Sequence, residues 1–296
     1  MIIGDNAKGK TTILDALSVA MGGFILGVPN SYMGETKKAF DRNLHAGDVQ
    51  RYFLRNREKI TTEFRENCSV EAYRTVGKHT SLHWRRLLKK AEGHTNNDHC
   101  RKLKDEASRL YNTQAQADDN TQSENLPVLI YYGTGRLWAG QKTQKSNQLK
   151  SANIAFGYYY ALKPDAQNKT LMPWLEHADR IAYQERTESS GLAAVLDTII
   201  KMIPGASNSY YSPNYSELVV EFEDKVFPYS DLSDGQRNII TLAGDLAMRC
   251  AHHMDCTNNP GQDADQWNRG VEDIVTEVMG VDNPRSDLCQ KMMETA

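Results

Sequence analysis

Apolar residues recur at helical spacing in four separate stretches of the 296-residue chain. The first stretch follows Met1-Ile2-Ile3, the apolar end of a strand, and continues to Gly22-Gly23, where we expect the helix to stop. The later helical stretches cover residues 99–112, 154–202 and 238–249. Because strand-like segments separate the helices, the pattern predicts an α/β fold.

Alternation of apolar and polar residues, the spacing of a strand, appears in two regions. Three short strands at 60–64, 70–74 and 82–86 predict an antiparallel β lobe, and residues 218–222 predict a hairpin with 226–229. Four basic residues near the end of the lobe are expected to form a solvated edge, although they could also touch a phosphate backbone. They are Arg85, Arg86, Lys89 and Lys90.

A near-continuous apolar run at residues 126–132 predicts a strand buried in a parallel sheet. The run is followed by Gly133-Thr134-Gly135-Arg136. Ligands of open α/β sheets bind at the carboxyl ends of the strands, so Arg136 is a candidate phosphate or inter-subunit contact. The alternative is an arginine that only caps a loop.

Composition and charge exclude two classes of protein. Charged residues make up 25% of the chain and the formal net charge is −3, which excludes a globally basic nucleic-acid coat. A mean hydropathy of −0.62 and the lack of a long apolar run exclude a membrane span, and we expect a cytoplasmic protein without a signal peptide. We expect the five cysteines to be reduced, and the His and Cys residues at 94–100 and 252–256 to be solvated rather than metal-binding.

The phosphate-loop pattern G-x-x-x-x-G-K-[ST] occurs near the N-terminus, where residues 4–11 read G-D-N-A-K-G-K-T between a strand and a helix. Its two glycines allow backbone N–H groups at the helix N-terminus to converge on phosphate oxygens. Lys10 is expected to reach the β- and γ-phosphates, Thr11 to place its hydroxyl on Mg²⁺, and Thr12 to donate on the α-phosphate side. The motif therefore predicts binding of ATP with Mg²⁺.

A second anion-binding feature is expected at residues 232–237, L-S-D-G-Q-R, which lead directly into the last helical stretch. A serine and a glycine at a helix N-terminus present a hydroxyl and backbone N–H groups to a ligand. Alone, the hexapeptide is weak evidence. Downstream of a phosphate loop, it resembles the L-S-G-G-Q signature of ABC-type ATPases, with Asp234 in place of the first glycine.

Three segments together resemble the AAA-type, ABC-related ATPases of bacterial antiphage defence, and most of all the PtuA ATPases of Septu systems, including retron-associated ones. These segments are G-D-N-A-K-G-K-T-T, L-P-V-L-I-Y-Y-G-T-G-R-L-W and L-S-D-G-Q-R-N-I-I-T-L-A-G-D-L-A. The similarity extends from Ile2 to about Arg249. It implies an α/β P-loop NTPase fold of the ABC-ATPase type, with an antiparallel β lobe and a helical insertion.

The resemblance also implies partners. Such ATPases form head-to-tail homodimers in which the phosphate loop of one subunit and the signature of the other sandwich ATP·Mg²⁺. The implied partner protein is an HNH nuclease, PtuB, and in retron versions also a reverse transcriptase with its multicopy single-stranded DNA. No membrane partner is implied.

On this resemblance, Lys10 and Ser233 are the candidate catalytic residues, with Ser233 acting across the subunit boundary. Thr11 is the candidate Mg²⁺ ligand. The candidate nucleotide-binding residues are Asn6, Ala7, Lys8, Gly9, Lys10, Thr11, Thr12, Arg136, Ser233, Gly235 and Gln236.

The motifs divide the expected ATPase domain into separate pieces of the chain. The expected pieces are the phosphate-loop part at 1–45, the antiparallel β lobe plus a helix at 46–125, the buried strand and Gly-Arg turn at 126–145, a helical insertion at 146–208, the hairpin, signature and signature helix at 209–255, and a C-terminal helical segment at 256–296 that follows a missing piece.

The sequence departs from the family pattern in two ways. Ala7 stands where these families usually have glycine, a mild change because Gly4 and Gly9 remain. More seriously, the apolar strand ending in Asp-Glu that should follow the signature helix is absent, as is the switch histidine, so no catalytic glutamate can be named. Because a sheet that lost this strand would leave buried backbone groups unpaired, we expect a missing segment between about Ala251 and Gly270.

Several functions are compatible with these motifs. The leading hypothesis is an ATPase that controls an associated nuclease in antiviral defence. The second is a non-hydrolysing scaffold that uses ATP to hold its partners inactive, a hypothesis favoured by the absent Asp-Glu strand. A DNA-repair ATPase of the RecF or SMC kind is less favoured because the middle region lacks sustained heptads, and a transporter nucleotide-binding domain because the insertions are too large.

Overall fold

The computed structural model divides the chain into two compact units, Met1–Thr113 and Gln114–Ala296. Each unit has its own helices, antiparallel strands and buried residues. The structure describes residues 5, 8–29, 40, 42–56, 59–76, 80–116, 126–133, 154–163, 170–186 and 189–253.

The described residues of the first unit form helices and two antiparallel hairpins. Helix α1 spans Lys10–Ile25 and α2 spans Arg101–Ala115. The hairpins pair β1 with β2 and β3 with β4. These strands are β1 (Arg51–Asn56), β2 (Lys59–Phe64), β3 (Cys68–Val76) and β4 (Thr80–Leu88).

The three strand segments predicted for this lobe lie within β2, β3 and β4, whereas β1 was not predicted. The period-two signal of a strand requires apolar residues to alternate with polar ones. In β1, Tyr52, Phe53 and Leu54 are consecutive large apolar residues, and all three are exposed. Because these three apolar residues are consecutive and do not alternate with polar ones, the sequence of β1 carries no period-two signal.

Helix α1 buries only its second half. Val19 packs in a small core with Leu44, Val49 and Leu88, and Phe24 is also buried. In the first half of the helix, large apolar side chains are exposed to solvent. They are Ile13, Leu14 and Leu17.

The glycine pair predicted to stop α1 lies inside the helix, which continues to Ile25. A Cβ atom on Gly22 would lie 2.5 Å from Arg86 Nη1 and 2.7 Å from the Arg42 carbonyl oxygen. Gly22 is therefore required by the close approach of these groups. Its unfavourable helix propensity, about 1 kcal/mol, is overridden by tertiary packing.

Arg86 also corrects the sequence analysis, because it does not lie on a solvated edge. It is fully buried, on the same face of β4 as Trp84 and Leu88, which are buried as well. Arg85 points to the other face and pairs with Glu71 at 3.2 Å. The period of two along a strand places alternate residues on one face, and here that face is the buried one.

In its described residues, the second unit combines three α-helices with a three-stranded antiparallel sheet in the order β5-β6-β7. The helices are α3 (Leu171–Glu185), α4 (Ser190–Met202) and α5 (Asp234–His253). The strands are β5 (Ala206–Ser212), β6 (Glu217–Phe222) and β7 (Lys225–Pro228).

Helices α4 and α5 pack against each other and form the centre of the second unit. Val195 and Ile199 of α4 are fully buried, as are Ile240 and Met248 of α5. The predicted hairpin corresponds to β6 and β7. Strand β5 was not predicted because its sequence, A-S-N-S-Y-Y-S, is mostly polar.

The strand predicted at 126–132 is wrong, since residues 126–133, all of them described, form no strand. The backbone N–H of Tyr131 donates to Ala161 O at 2.8 Å, and the Tyr158 hydroxyl donates to Pro127 O at 2.7 Å. The apolar run is thus held by a neighbouring 3₁₀-helix and turn. An apolar run indicates burial but does not specify a strand partner, and every strand pair among the described residues is antiparallel.

Four predictions lie outside the described residues. They concern the strand at Met1-Ile2-Ile3, the phosphate-loop residues Asn6 and Ala7, the candidate contact Arg136, and the chain beyond His253, where a missing segment was expected.

Candidate nucleotide-binding site

The N-terminus of α1 is open among the residues that the structure describes. The helix follows Gly9, whose φ of 80° and ψ of 12° are left-handed values that glycine adopts without strain. Among the described residues, no side chain caps this end, and a Cβ atom on Gly9 would have no atom within 4 Å. The first N–H groups of a helix have no intrahelical acceptor, so they point towards this open space.

The charges around this helix end suit an anion. Lys8 is exposed, Lys10 is partly exposed, and the first turn of α1 contains no acidic residue. The partial positive charge of the helix N-terminus adds to that of the two lysines. Thr11 and Thr12 are exposed, so their hydroxyls can reach a ligand.

The Nζ atom of Lys10 donates to Asp5 O at 2.6 Å. A phosphate oxygen is a stronger acceptor for an ammonium group than a neutral carbonyl oxygen is. The residues present therefore fit ATP·Mg²⁺. Gly9 and Lys10 would hold the phosphates and Thr11 would hold the metal, which supplies charge neutralisation when bound.

The second predicted motif forms the N-terminus of α5. Ser233 and Gln236 make a reciprocal capping box, a known way to stabilise a helix start. The Gln236 N–H donates to Ser233 Oγ at 3.3 Å, and Gln236 Oε1 accepts from the Ser233 hydroxyl at 2.9 Å and from its N–H at 3.1 Å. Gly235 faces open space among the described residues, since a Cβ atom there would have no atom within 4 Å. A ligand can therefore approach this helix end.

Asp234, which replaces the first glycine of the signature, is 89% exposed at its side chain and is ion-paired with Arg237. The pair neutralises a carboxylate that would otherwise repel an incoming phosphate. It also holds a guanidinium group in the first turn of the same helix, where an anion would bind.

A buried polar network fixes the second half of α5, and the sequence analysis did not find it. Asp245 accepts from Arg249 Nε at 2.8 Å and Nη2 at 2.9 Å, from Thr170 Oγ1 at 2.9 Å and from the Tyr132 hydroxyl at 3.0 Å. Burial, and then the charge of Asp245, raises the pKa of Tyr132 well above its usual value, so its hydroxyl stays protonated and donates. The sequence signal that could have predicted this network is an Asp and an Arg four residues apart on an apolar helix.

Arg249 extends this network to neighbouring backbone. Its Nη1 atom donates to Gly157 O at 2.7 Å and to Tyr159 O at 3.0 Å. His252, one turn later, packs beside the rings of Phe156 and Trp174. Burial, and then the charge of Arg249, lowers the pKa of His252 to about 4, so this imidazole is neutral at physiological pH.

The described candidate residues fall into two groups, one in each unit. Each group lies at a helix N-terminus that a ligand can approach. Asn6, Ala7 and Arg136 lie outside the described residues. The first group is Lys8, Gly9, Lys10, Thr11 and Thr12, and the second is Ser233, Gly235 and Gln236.

Comparison with known proteins bears on the first group. A sequence profile described as AAA domain matches residues 1–201, more than half of the chain, and includes the phosphate loop. No curated protein matches the chain. Within the described part of the chain, none of the helices has the length and apolar character needed to cross a bilayer.

Proposed function

Because the chain belongs to the AAA domain family of P-loop ATPase-like proteins, we propose that it binds and hydrolyses ATP with Mg²⁺ as a head-to-tail homodimer. The open N-terminus of α1, with left-handed Gly9 ahead of Lys10 and Thr11, carries the proposal. Backbone N–H groups and a lysine at one helix end form a site for the phosphates of a nucleotide.

The start of α5 supports the head-to-tail arrangement. The Ser233 hydroxyl accepts from the Gln236 N–H and donates to Gln236 Oε1. If the Ser233 hydroxyl donated to a γ-phosphate oxygen instead, it would lose only its bond to Gln236 Oε1. The bond from the Gln236 N–H would remain, so the helix cap would persist when nucleotide is bound. The resemblance to ABC-type ATPases assigns this contact to the phosphate loop of the other subunit, which makes each nucleotide site composite.

The wider role follows from the resemblance to PtuA ATPases of Septu systems. We infer that the dimer controls an associated HNH nuclease, PtuB, in cytoplasmic antiphage defence. In a retron-linked system, a reverse transcriptase and its multicopy single-stranded DNA would join the complex. The three sequence segments that carry the resemblance include both helix starts described above.

The phosphate-loop assignment is tested with Lys10→Ala and, as a matched control, Lys89→Ala, which changes an exposed lysine of the β lobe. We expect Lys10→Ala to abolish binding of a fluorescent ATP analogue, with far-ultraviolet circular dichroism unchanged, because the Lys10 side chain lies at the helix start and outside the core. Lys89→Ala should bind as wild type does. A folded Lys10→Ala protein that binds with unchanged affinity would refute the assignment.

The composite site is tested by mixing Lys10→Ala with Ser233→Ala subunits. A heterodimer then has one intact site, and random pairing should restore about a quarter of wild-type turnover. No recovery at any ratio, in mixtures shown to contain heterodimers, would exclude action of Ser233 across the subunit boundary.

A second candidate is a scaffold that binds ATP without hydrolysing it. The observation in its favour is that residues 250–296 contain no apolar segment that ends in Asp-Glu. ATP turnover with and without a co-encoded nuclease separates the two functions. Tight ATP binding with no turnover in either sample would favour the scaffold, whereas turnover would exclude it.

A further inference from the structure

Two buried side chains of β4 bind the backbone of α1. Trp84 Nε1 donates to Ala20 O at 3.0 Å, and Arg86 Nη1 donates to Val19 O at 2.6 Å. Trp84 is 2% exposed and Arg86 is 0% exposed. These helix carbonyls therefore accept additional hydrogen bonds from a neighbouring strand, away from solvent.

Arg86 also joins α1 to two further segments. It donates from Nη1 to Arg42 O at 2.6 Å, from Nε to Asn97 Oδ1 at 2.8 Å, and from Nη2 to Asn43 Oδ1. Arg42 in turn donates from Nε to Ser18 Oγ on α1 at 3.2 Å. One guanidinium group thus fixes the helix, the segment before β1 and the segment after β4.

The contact between Arg86 and α1 requires a glycine at position 22 of the helix. Any side chain at Gly22 would compete for space with Arg86 Nη1, which lies 2.5 Å from the point that a Cβ atom would occupy. A helix position packed on a neighbouring element is usually occupied by alanine or leucine. At Gly22 the guanidinium group of Arg86 occupies that space instead. The helix and β4 are therefore matched to each other.

The attachment lies in the part of α1 opposite to its nucleotide-binding end. Val19 is about 14 Å along the helix axis from Lys10, at 1.5 Å per residue. Between them, Ile13, Leu14 and Leu17 are exposed. Because an α-helix moves nearly as a rigid rod, bonds at Val19 and Ala20 set the position of the N–H groups at its start.

We propose that Trp84 and Arg86 are positioning residues that hold the phosphate-loop helix, so that nucleotide binding at the start of α1 is linked to the β3–β4 hairpin. The proposal rests on the proposed nucleotide site. Linkage is reciprocal: if the bonds to β4 favour the binding position of α1, then nucleotide bound at α1 stabilises β4 in return. The β lobe thereby responds to nucleotide without touching it.

The test is hydrogen exchange of the full chain, measured by mass spectrometry with and without ATP·Mg²⁺. The variant Arg86→Met keeps the apolar stem but loses every donor, and Arg86→Lys keeps the charge and part of the donor set. The matched control is Arg85→Met, which changes the adjacent, partly exposed arginine on the opposite face of β4. Trp84→Phe keeps a buried aromatic ring, removes the bond to Ala20 O and leaves a small cavity in place of the second ring.

In wild type and in Arg85→Met, ATP should slow exchange both at residues 8–13 and at residues 82–88. Arg86→Met should lose the protection at 82–88 and bind ATP about fivefold more weakly or worse, and Arg86→Lys should recover part of both. Trp84→Phe should show the same loss to a smaller degree, and it gives the answer if Arg86→Met does not fold.

Two results would overturn the linkage: protection confined to 8–13 in wild type, or protection at 82–88 that persists in folded Arg86→Met and Trp84→Phe. A purely structural role would lower the melting temperature of the variants and leave the ATP-dependent difference in exchange intact. Failure of the nucleotide site itself is distinguishable, because wild type would then show no ATP-dependent protection in either segment.

Discussion

Replacing Arg249 by methionine is the most informative test of the second unit, because it leaves a buried carboxylate without its ion pair. Arg249 and Asp245 are 1% and 0% exposed at their side chains. Methionine fills similar volume with no donor. The substitution therefore removes charge and hydrogen bonds while it disturbs packing little.

The expected cost follows from the bonds that are lost. Removing one member of a buried ion pair costs about 3–5 kcal/mol, because the remaining charge stays buried. Asp245 keeps donors from Thr170 and Tyr132, which reduces the cost, but Gly157 O and Tyr159 O lose theirs, which raises it. We expect a loss of about 4 kcal/mol, against a total stability on the order of 5–15 kcal/mol.

The assay is urea unfolding followed by far-ultraviolet circular dichroism. The matched control is Lys201→Met, which breaks an i,i+4 pair with Asp197 on α4, in the same unit but partly exposed, and should cost less than about 0.5 kcal/mol. The double variant Asp245→Leu/Arg249→Met should be more stable than Arg249→Met alone, since no unpaired charge remains. An Arg249→Met protein within about 1 kcal/mol of wild-type stability would refute this reasoning. So would a double variant whose loss of stability equals the sum of the losses in Asp245→Leu and Arg249→Met alone.

Three further substitutions test local features of the fold by the same unfolding assay. The pKa of His252 is lowered from 6.5 to about 4, so between these values the unfolded chain takes up a proton that the native protein does not. The free energy of unfolding should therefore fall by about 2 kcal/mol from neutral pH to about pH 5. His252→Phe should flatten this part of the pH profile. Gly22→Ala should destabilise by about 1–3 kcal/mol through its clash with Arg86, whereas Gly191→Ala, whose nearest neighbour is Ala251 Cβ at 3.7 Å, should not. Ser233→Ala should cost about 1 kcal/mol through loss of the capping box, and an unchanged midpoint would contradict the observed cap.

Both helix starts could be predicted from the sequence because the chemistry of each is local. The left-handed turn at Gly9 depends on one residue, and the capping box depends on Ser233 and Gln236, three positions apart. Local signals of this kind survive in any tertiary context. The same holds for β3 and β4, where one buried face leaves a period of two in the sequence.

The errors arose where tertiary contacts decide the outcome. Gly22 has the propensity of a helix breaker, but it lies in a helix because Arg86 needs the space. The charge of Arg86 predicts a surface position, although alternation from Trp84 to Leu88 already puts it on the buried face. The apolar run at 126–132 correctly indicated burial of Leu126 and Tyr131, but no sequence pattern specified that its neighbours would be a 3₁₀-helix and a turn.

Helices α1 and α5 share one design, an N-terminus that an anion can approach and a buried polar anchor about two to four turns later. The anchor of α1 is Arg86, bonded to Val19 O, and the anchor of α5 is the pair Asp245–Arg249. Hydrogen bonds to buried charged groups are stronger and more directional than apolar contacts, so each anchor fixes the rotation and the axial position of its helix. Donors that are fixed before the ligand arrives need no ordering on binding, which favours affinity for phosphate. Conservative substitutions at either anchor should therefore weaken nucleotide contacts at the start of the same helix. If folded variants of both anchors bind ATP with unchanged affinity, the two helix starts are positioned by other contacts.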